Sequence, residues 1–313
     1  MLTAAMACAA WGTAPAHAAI SITETDVDSF RYTTAPGWDF YGSQVDPVTQ
    51  TIISRPLELT ASNPGGDGWL RLTETVKSQK GMALYDTDFL PAEGLQVTFE
   101  YATYGGAGAD GIAFFLIDGS TASPALGDQG GGLGYKGMVG AYVGIGLDEY
   151  GNFDSPSNVC IAPCPQAHSV AVLGAESRNF GQLGTTVHLP DVGLGTISTS
   201  GRSGARTVRI TISPVTSAAP YPKVTVEIID PNTGNFATVF DSLDLSSNGP
   251  VPDTFKMGFS ASTGFHVNYH EIRIKDARTL VSAVPMLGQS TLGTLAVLLA
   301  LLTLPALRRR FRN

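Results

Sequence analysis

The chain has 313 residues, 36 of them glycine, with 15% charged side chains and a formal net charge of −8. Arg308, Arg309, Arg310 and Arg312 crowd the extreme C-terminus, so the rest of the chain is more acidic than that total implies. Such a surface excludes nucleic acid and disfavours anionic lipid, and it leaves cations and neutral glycans open as partners.

Residues 1–18 are apolar and small and end in Ala16-His17-Ala18, the A-x-A pattern of a signal-peptide cleavage site. No Lys or Arg precedes the apolar run, so we expect the true start to lie upstream of Met1. A buried N-terminal helix is the alternative. From residue 19 onward helical periodicity is nearly absent and strand-like alternation recurs. Trp69 to Thr73 and Leu95 to Tyr101 alternate apolar with polar residues, and Trp38 and Trp69 read as core or edge packing. Ile112 to Ile117 is a continuous apolar run, which predicts a strand buried on both faces. Val139 to Leu147 and Ser169 to Leu173 continue the pattern. Thr207 to Ile212 and Lys223 to Ile229 predict an antiparallel pair. Phe255 to Ser260 and Tyr269 to Ile274 close the body. Turn clusters separate these runs at Asn63 to Asp67, Asp230 to Gly234 and Ser247 to Pro250. Strands and turns without helices predict an all-β sandwich over residues 19–277, about 260 residues and normal for one large domain of that class.

Cys8 falls in the expected signal, which leaves Cys160 and Cys164 in the body. A disulfide across this short loop suits an exported domain. With His168 the same cysteines spell C-x3-C-x3-H, a zinc-like spacing without an evident fourth ligand. Residues 278–290 read as a linker and short motif. Residues 291–307 read as a transmembrane helix of about minimum length, and residues 308–313 as a basic cytoplasmic tail. The three-part tail, opening on Val284-Pro285-Met286-Leu287, resembles C-terminal sorting signals of the IPTL and PEP type found in bacteria. Met286 stands where Thr is common in that pattern. The resemblance implies a sorting enzyme as a partner, and an ordinary membrane anchor is the alternative. Either places the body outside the cytoplasm, membrane-anchored at the cell envelope or released after processing.

The residues with chemistry cluster in two segments. Asp110 sits in a glycine-rich bend that opens an apolar run, Gly105 to Leu116. Asp148 and Asn152 bracket Tyr150 in Asp148-Glu149-Tyr150-Gly151-Asn152. Oxygen ligands in a short loop suit a hard cation such as calcium, and an acid, an amide, an aromatic face and nearby glycines suit a sugar. These two segments, with Gly130 to Tyr135 and Gly258 to Gly264, occur in one order that resembles the L-type (legume-like) lectin domain of the bacterial exported kind. The resemblance covers roughly Leu70 to Ile274 and implies a concanavalin A-like jelly-roll sandwich.

It further implies that Asp110 accepts hydrogen bonds from sugar hydroxyls and is preceded by a cis peptide. Gly131 and Gly132 match the loop that offers backbone N–H to the same sugar. Asp148, the Tyr150 carbonyl and the Asn152 amide match calcium ligands, Tyr150 and Asn152 also facing the sugar. Asp154 is the candidate for a further calcium acid, with Asn158 behind it. Gly264, Phe265 and His266 fall in the loop that tunes specificity. Gly146 replaces the Glu of the family's transition-metal site, so that second metal is expected to be lost and His168 to be structural. Glu149 stands where Thr is usual. The expected function is calcium-dependent binding of glycans or exopolysaccharide by an exported protein that is not an enzyme. A glycoside hydrolase would need two carboxylates flanking the scissile bond, and neither E-x-D-x-x-E nor G-x-S-x-G is present. A structural or adhesive matrix protein without sugar binding is the remaining alternative.

Overall fold

The computed structural model describes residues 19–46, 48–61, 68–155 and 166–281. The expected signal segment, the Cys160–Cys164 pair, Asn158, and the sorting motif, membrane span and basic tail all lie outside the described residues. Among the described residues no helix is long and apolar enough to cross a membrane.

The described residues form sixteen strands joined by turns and short 3-10 segments: β1 (Ser21–Thr23), β2 (Trp38–Val45), β3 (Ile52–Ser54), β4 (Glu58–Leu59), β5 (Leu70–Thr73), β6 (Gln79–Tyr85), β7 (Leu95–Tyr104), β8 (Gly111–Asp118), β9 (Ala141–Asp148), β10 (Ser169–Leu173), β11 (Val187–His188), β12 (Arg206–Ile212), β13 (Lys223–Ile229), β14 (Phe236–Asp244), β15 (Phe255–Ser262) and β16 (Tyr269–Arg278). The back sheet runs β14-β13-β12-β7-β16-β5-β4, with β1 also paired to β16; the front sheet runs β11-β10-β9-β8-β15-β6-β2-β3. Every pairing is antiparallel. The expected pair is present, with Ile210 opposite Val226 on β12 and β13.

Two apolar layers hold the fold. The first lies between the sheets, where Phe99, Ile210, Val226 and Ile272 of the back sheet meet Phe114, Val143 and Phe259 of the front. Trp38 belongs to this layer, packed on Phe30 and Tyr85, and Trp69 is 1% exposed. The second layer covers the outer face of the front sheet, where Ala113, Phe115 and Ile117 are packed beneath Leu133, Tyr135, Met138 and Phe153. β8 therefore divides its apolar run by alternation: Ile112, Phe114 and Leu116 face the first layer, and the residues between them face the second. That is why the run shows no polar alternation. Burial of Leu133 and Tyr135 stabilises the loop they carry by about 2 kcal/mol each. This loop also carries Gly130–Gly132, so its packing fixes part of the site.

Candidate functional site

Strand register assembles the site. Gly111 opens β8 opposite Asp148 at the end of β9, and opposite Ser262 at the end of β15. The residues just beyond these three positions therefore share one end of the front sheet. Asp110 precedes Gly111, Tyr150 and Asn152 follow Asp148, and Gly264 to His266 follow Ser262. The Gly130–Gly132 turn reaches the same end because the Ser262 hydroxyl donates to the Gly130 carbonyl at 2.6 Å.

Asp110 is the centre of this cluster. Its preceding peptide, Ala109–Asp110, is cis. The Asp110 N–H donates to the Ser262 carbonyl at 3.1 Å, and its carbonyl accepts from the N–H groups of Glu149 (2.9 Å) and Tyr150 (3.2 Å). The backbone is thus fully bonded, while Oδ2 of the carboxylate is buried with no hydrogen-bond partner. Burial, then the Asp148 charge, pushes the Asp110 carboxyl up to about 7, against the pull of the Gly264 N–H. A buried acceptor left open is expensive in a finished fold, and it is the normal condition of a group that a ligand completes.

Asp148 is also buried, and its two oxygens accept from the Gly151 and Phe153 N–H groups at 2.7 Å each. Burial dominates these bonds and pushes its carboxyl up to about 7. The Asn152 side chain lies against Gly131. A Cβ on Gly131 would stand 2.5 Å from the Asn152 Cγ and 2.6 Å from its terminal atoms, so any side chain there must push the Asn152 amide aside. Gly132 plays a different part from Gly131: its N–H donates to the Gln129 carbonyl at 3.3 Å and shapes the turn. We expect Gly131→Ala to displace the Asn152 amide at a cost of about 1–3 kcal/mol. The Asn152 side-chain resonances in an NMR spectrum check this; unmoved resonances would mean that the loop yields instead.

Tyr150 is half-buried, and its ring stands 5.4 Å from that of His266. Phe265 is 75% exposed, with the Lys77 ammonium 3.7 Å above its ring centre. Asp154 lies close enough for its charge to help raise the Asp148 carboxyl, and its Oδ2 accepts from the Thr186 hydroxyl at 2.6 Å. His168 lies beside Glu149 rather than at this cluster, and its backbone N–H donates to the Glu149 carbonyl at 3.2 Å. At Gly146 a Cβ would stand 2.3 Å from the Phe153 ring. The space that a Glu side chain would enter at this position is filled by Phe153, an apolar plug in the outer layer.

Among the described residues no group of three His, Cys, Asp or Glu side chains is placed to hold a metal ion. A cation here would depend on a mixed oxygen set, with one acid, one amide and a backbone carbonyl. Calcium accepts such sets, completed by water, and the raised carboxyls of Asp110 and Asp148 fit a site that gains from a nearby positive charge.

Sequence reasoning missed one group near the site. Lys136 is buried, and its ammonium donates to the Ser155 carbonyl; burial lowers its pKa against the pull of Asp154, Asp148 and Asp128. The available signal was a lone charge in the otherwise apolar Leu133 to Met138. Glu149, which the sequence places beside the site, directs its side chain away from it, toward Thr103 and Asn268.

Two antiparallel sheets stacked in this order form the sandwich of solved legume lectins. Solved structures with the same fold include lectin I-B4 from Griffonia simplicifolia in a metal-free form, at 20% identity and TM-score 0.52, covering 83% of this chain and 98% of that one. The acidic lectin of winged bean, complexed with methyl-α-D-galactose, matches at 18% identity and TM-score 0.53, over 84% and 99% of the two chains. The exoplasmic/lumenal domain of VIP36, in a metal-free form, matches at 17% identity and TM-score 0.51, over 84% and 94%. At these identities the likeness is one of fold. No family model matches the sequence, and no curated protein does.

Proposed function

We propose that the chain is a calcium-dependent carbohydrate-binding protein that acts outside the cytoplasm, with glycans or exopolysaccharide as its partners. The observation that carries this reading is the buried, unpartnered Oδ2 of Asp110, set among Gly131, Asn152 and Gly264 at one end of the front sheet. An acceptor of that kind suits the hydroxyls of a sugar, with Asp110 accepting and Asn152 and backbone N–H groups completing the hydrogen bonds. The Tyr150 and Phe265 rings offer apolar faces to the sugar's C–H surface. Calcium would be held by Asp148, the Tyr150 carbonyl and Asn152, with Asp154 as the candidate further acid, and would supply positive charge to a loop rich in buried acids. The legume-lectin fold supports the reading: the winged bean relative is complexed with a methyl galactoside, and a lectin from Bauhinia forficata with the same fold is in complex with GalNAc. Asp148 and Glu149 face opposite sides of the sheet end, so they do not form a carboxylate pair across one cleft, and we assign no catalytic role. Export, and a C-terminal membrane anchor or sorting signal, belong to the proposal on the motifs at the two ends of the chain.

The test is a glycan array with and without calcium, beside a thermal melt. Calcium at a hundredfold excess over its Kd is expected to add about 2.7 kcal/mol, roughly 5–10 °C for a domain of this size, and to be required for sugar binding. Binding that survives chelation would remove calcium from the proposal and keep the sugar. No binding by the folded, calcium-loaded chain would leave the matrix-protein reading in its place.

A further inference from the structure

Glu149 is adjacent to Asp148 in the chain, yet its side chain enters the space between the sheets and is fully buried. Its Oε1 accepts from the hydroxyls of Thr103 (3.1 Å) and Ser198 and from the Asn268 amide (2.9 Å). Its Oε2 accepts from the same amide at 3.0 Å, with His270 Nε2 at 3.5 Å. Thr103 and His270 belong to β7 and β16 of the back sheet, and His270 Nδ1 lies 2.6 Å from the Thr73 hydroxyl on β5. The Asn268 side-chain oxygen Oδ1 accepts in turn from the Gly106 N–H at 2.7 Å. One carboxylate therefore reaches from the end of the front sheet to two strands of the opposite sheet, β7 and β16, and through His270 to β5. Burial opposes its charge, and the His270 contact together with Ser198 and Asn268 outweighs burial and holds its pKa below the ordinary value.

The backbone of the same residue touches the site. Its N–H, with that of Tyr150, donates to the Asp110 carbonyl, and its own carbonyl accepts from His168. A cavity of about 500 Å³ lies beside Glu149. Its side chains Thr103, Ser198 and Asn268 all donate to Glu149, and the Thr199 hydroxyl donates to the Thr103 carbonyl at 3.2 Å. These three side chains are engaged by the carboxylate.

We propose that Glu149 is the positioning residue of the glycan site: its side chain, bonded to the back sheet, fixes the backbone that holds Asp110 and starts the Asp148–Asn152 loop. The proposal rests on the glycan reading for its functional consequence, and the anchoring itself can be tested without a sugar. Charge-assisted bonds in a buried network are stronger and more directional than bonds between neutral groups, so the anchor restrains orientation as well as position.

The experiment compares the full chain with Glu149→Ala, Glu149→Gln and a remote core control, Val226→Ala on β13. Glu149→Ala strands the three donors Thr103, Ser198 and Asn268 and is the variant at risk of not folding. Glu149→Gln keeps one acceptor for Thr103 and Ser198 but sets its own amide donor against that of Asn268, so it loosens the anchor in a folded chain. Amide hydrogen exchange by NMR reads Tyr150, Gly151 and Phe153, whose N–H groups are bonded to Asp110 or Asp148. Glu149→Gln is expected to speed exchange at these three amides at least tenfold over the rest of the front sheet and to weaken glycan binding at least tenfold. Val226→Ala should speed exchange without singling out the loop and leave affinity within twofold. Loop amides in Glu149→Gln that exchange at wild-type rates, or no faster than the rest of the sheet, overturn the proposal. A loosened loop in a chain whose wild type binds no glycan supports the anchor and sinks the glycan reading.

Discussion

Replacing Asp110 by asparagine is expected to abolish glycan binding while leaving the fold as stable as before, or more so. The two effects have different physical origins. The carboxylate is the acceptor that sugar hydroxyls complete, and hydrogen bonds to a charged group contribute about 1.5–3 kcal/mol each. Losing two of them lowers affinity by roughly a hundredfold or more, at about 1.4 kcal/mol per tenfold. For the free protein the same carboxylate is a liability. It is buried, its Oδ2 has no partner, and burial and the neighbouring Asp148 charge push it up to about 7. Asparagine removes that desolvated charge and keeps the shape, and neutral replacements of uncompensated buried charges are tolerated or stabilising. Thermal melts of the metal-free protein at pH 8 and titration with the sugar identified on the array read the two effects separately. A melting temperature lowered by more than about 5 °C would make Asp110 a structural turn residue, which is the ordinary role of an aspartate in a glycine-rich bend.

The parts of this molecule that sequence made legible are those in which one residue's neighbours along the chain are also its physical environment. The Ile112 to Ile117 run showed a strand buried on both faces because every residue in it is apolar, and β8 is buried from Gly111 to Ile117. The Tyr269 to Ile274 strand was visible by alternation. β6 was not, because Gln79 and Lys80 precede its apolar half and Gly81 sits where a Cβ would stand 2.2 Å from the Leu72 carbonyl. β14 was missed because it is an edge strand with an irregular register against β13, and most of its side chains are not buried. At the site, Asp110, Asp148 and Asn152 could be singled out from local composition and the resemblance. That they meet follows from the register of β8, β9 and β15, which no local pattern encodes. Glu149 shows the limit most directly. In sequence it is one more acid beside a candidate ligand, whereas in the fold it sits just past the end of β9 and its role is set by residues of the opposite sheet, Thr103 and His270, that sequence reading gave no reason to join to it.

The second large effect concerns stability and lies on the back sheet. Replacing Glu271 by alanine is expected to destabilise the protein by about 3 kcal/mol, the scale for breaking a buried ion pair from one side. The Glu271 side chain is fully buried, and its oxygens receive four donors: Arg71 Nε at 2.9 Å, Arg202 at 2.7 and 2.8 Å, and the Tyr104 hydroxyl at 2.9 Å. These bonds tie β5, β7 and the Arg202 turn to β16. The two guanidinium groups keep some contact with water, which holds the figure at the lower end of that scale. The pH dependence follows from the direction of the shift. Burial raises the Glu271 pKa, but the Arg202 and Arg71 contacts outweigh it and leave the carboxyl below its ordinary value. A carboxyl whose folded pKa is depressed contributes stability above its unfolded pKa and loses it as pH falls through the folded pKa. The gap in melting temperature between wild type and Glu271→Gln should therefore be full at pH 6–7 and narrow as the pH is lowered through roughly 4 and below. A gap of the same size at pH 3 and pH 7 would show that the carboxylate's charge contributes nothing, and that Glu271 acts only by filling space and accepting neutral hydrogen bonds.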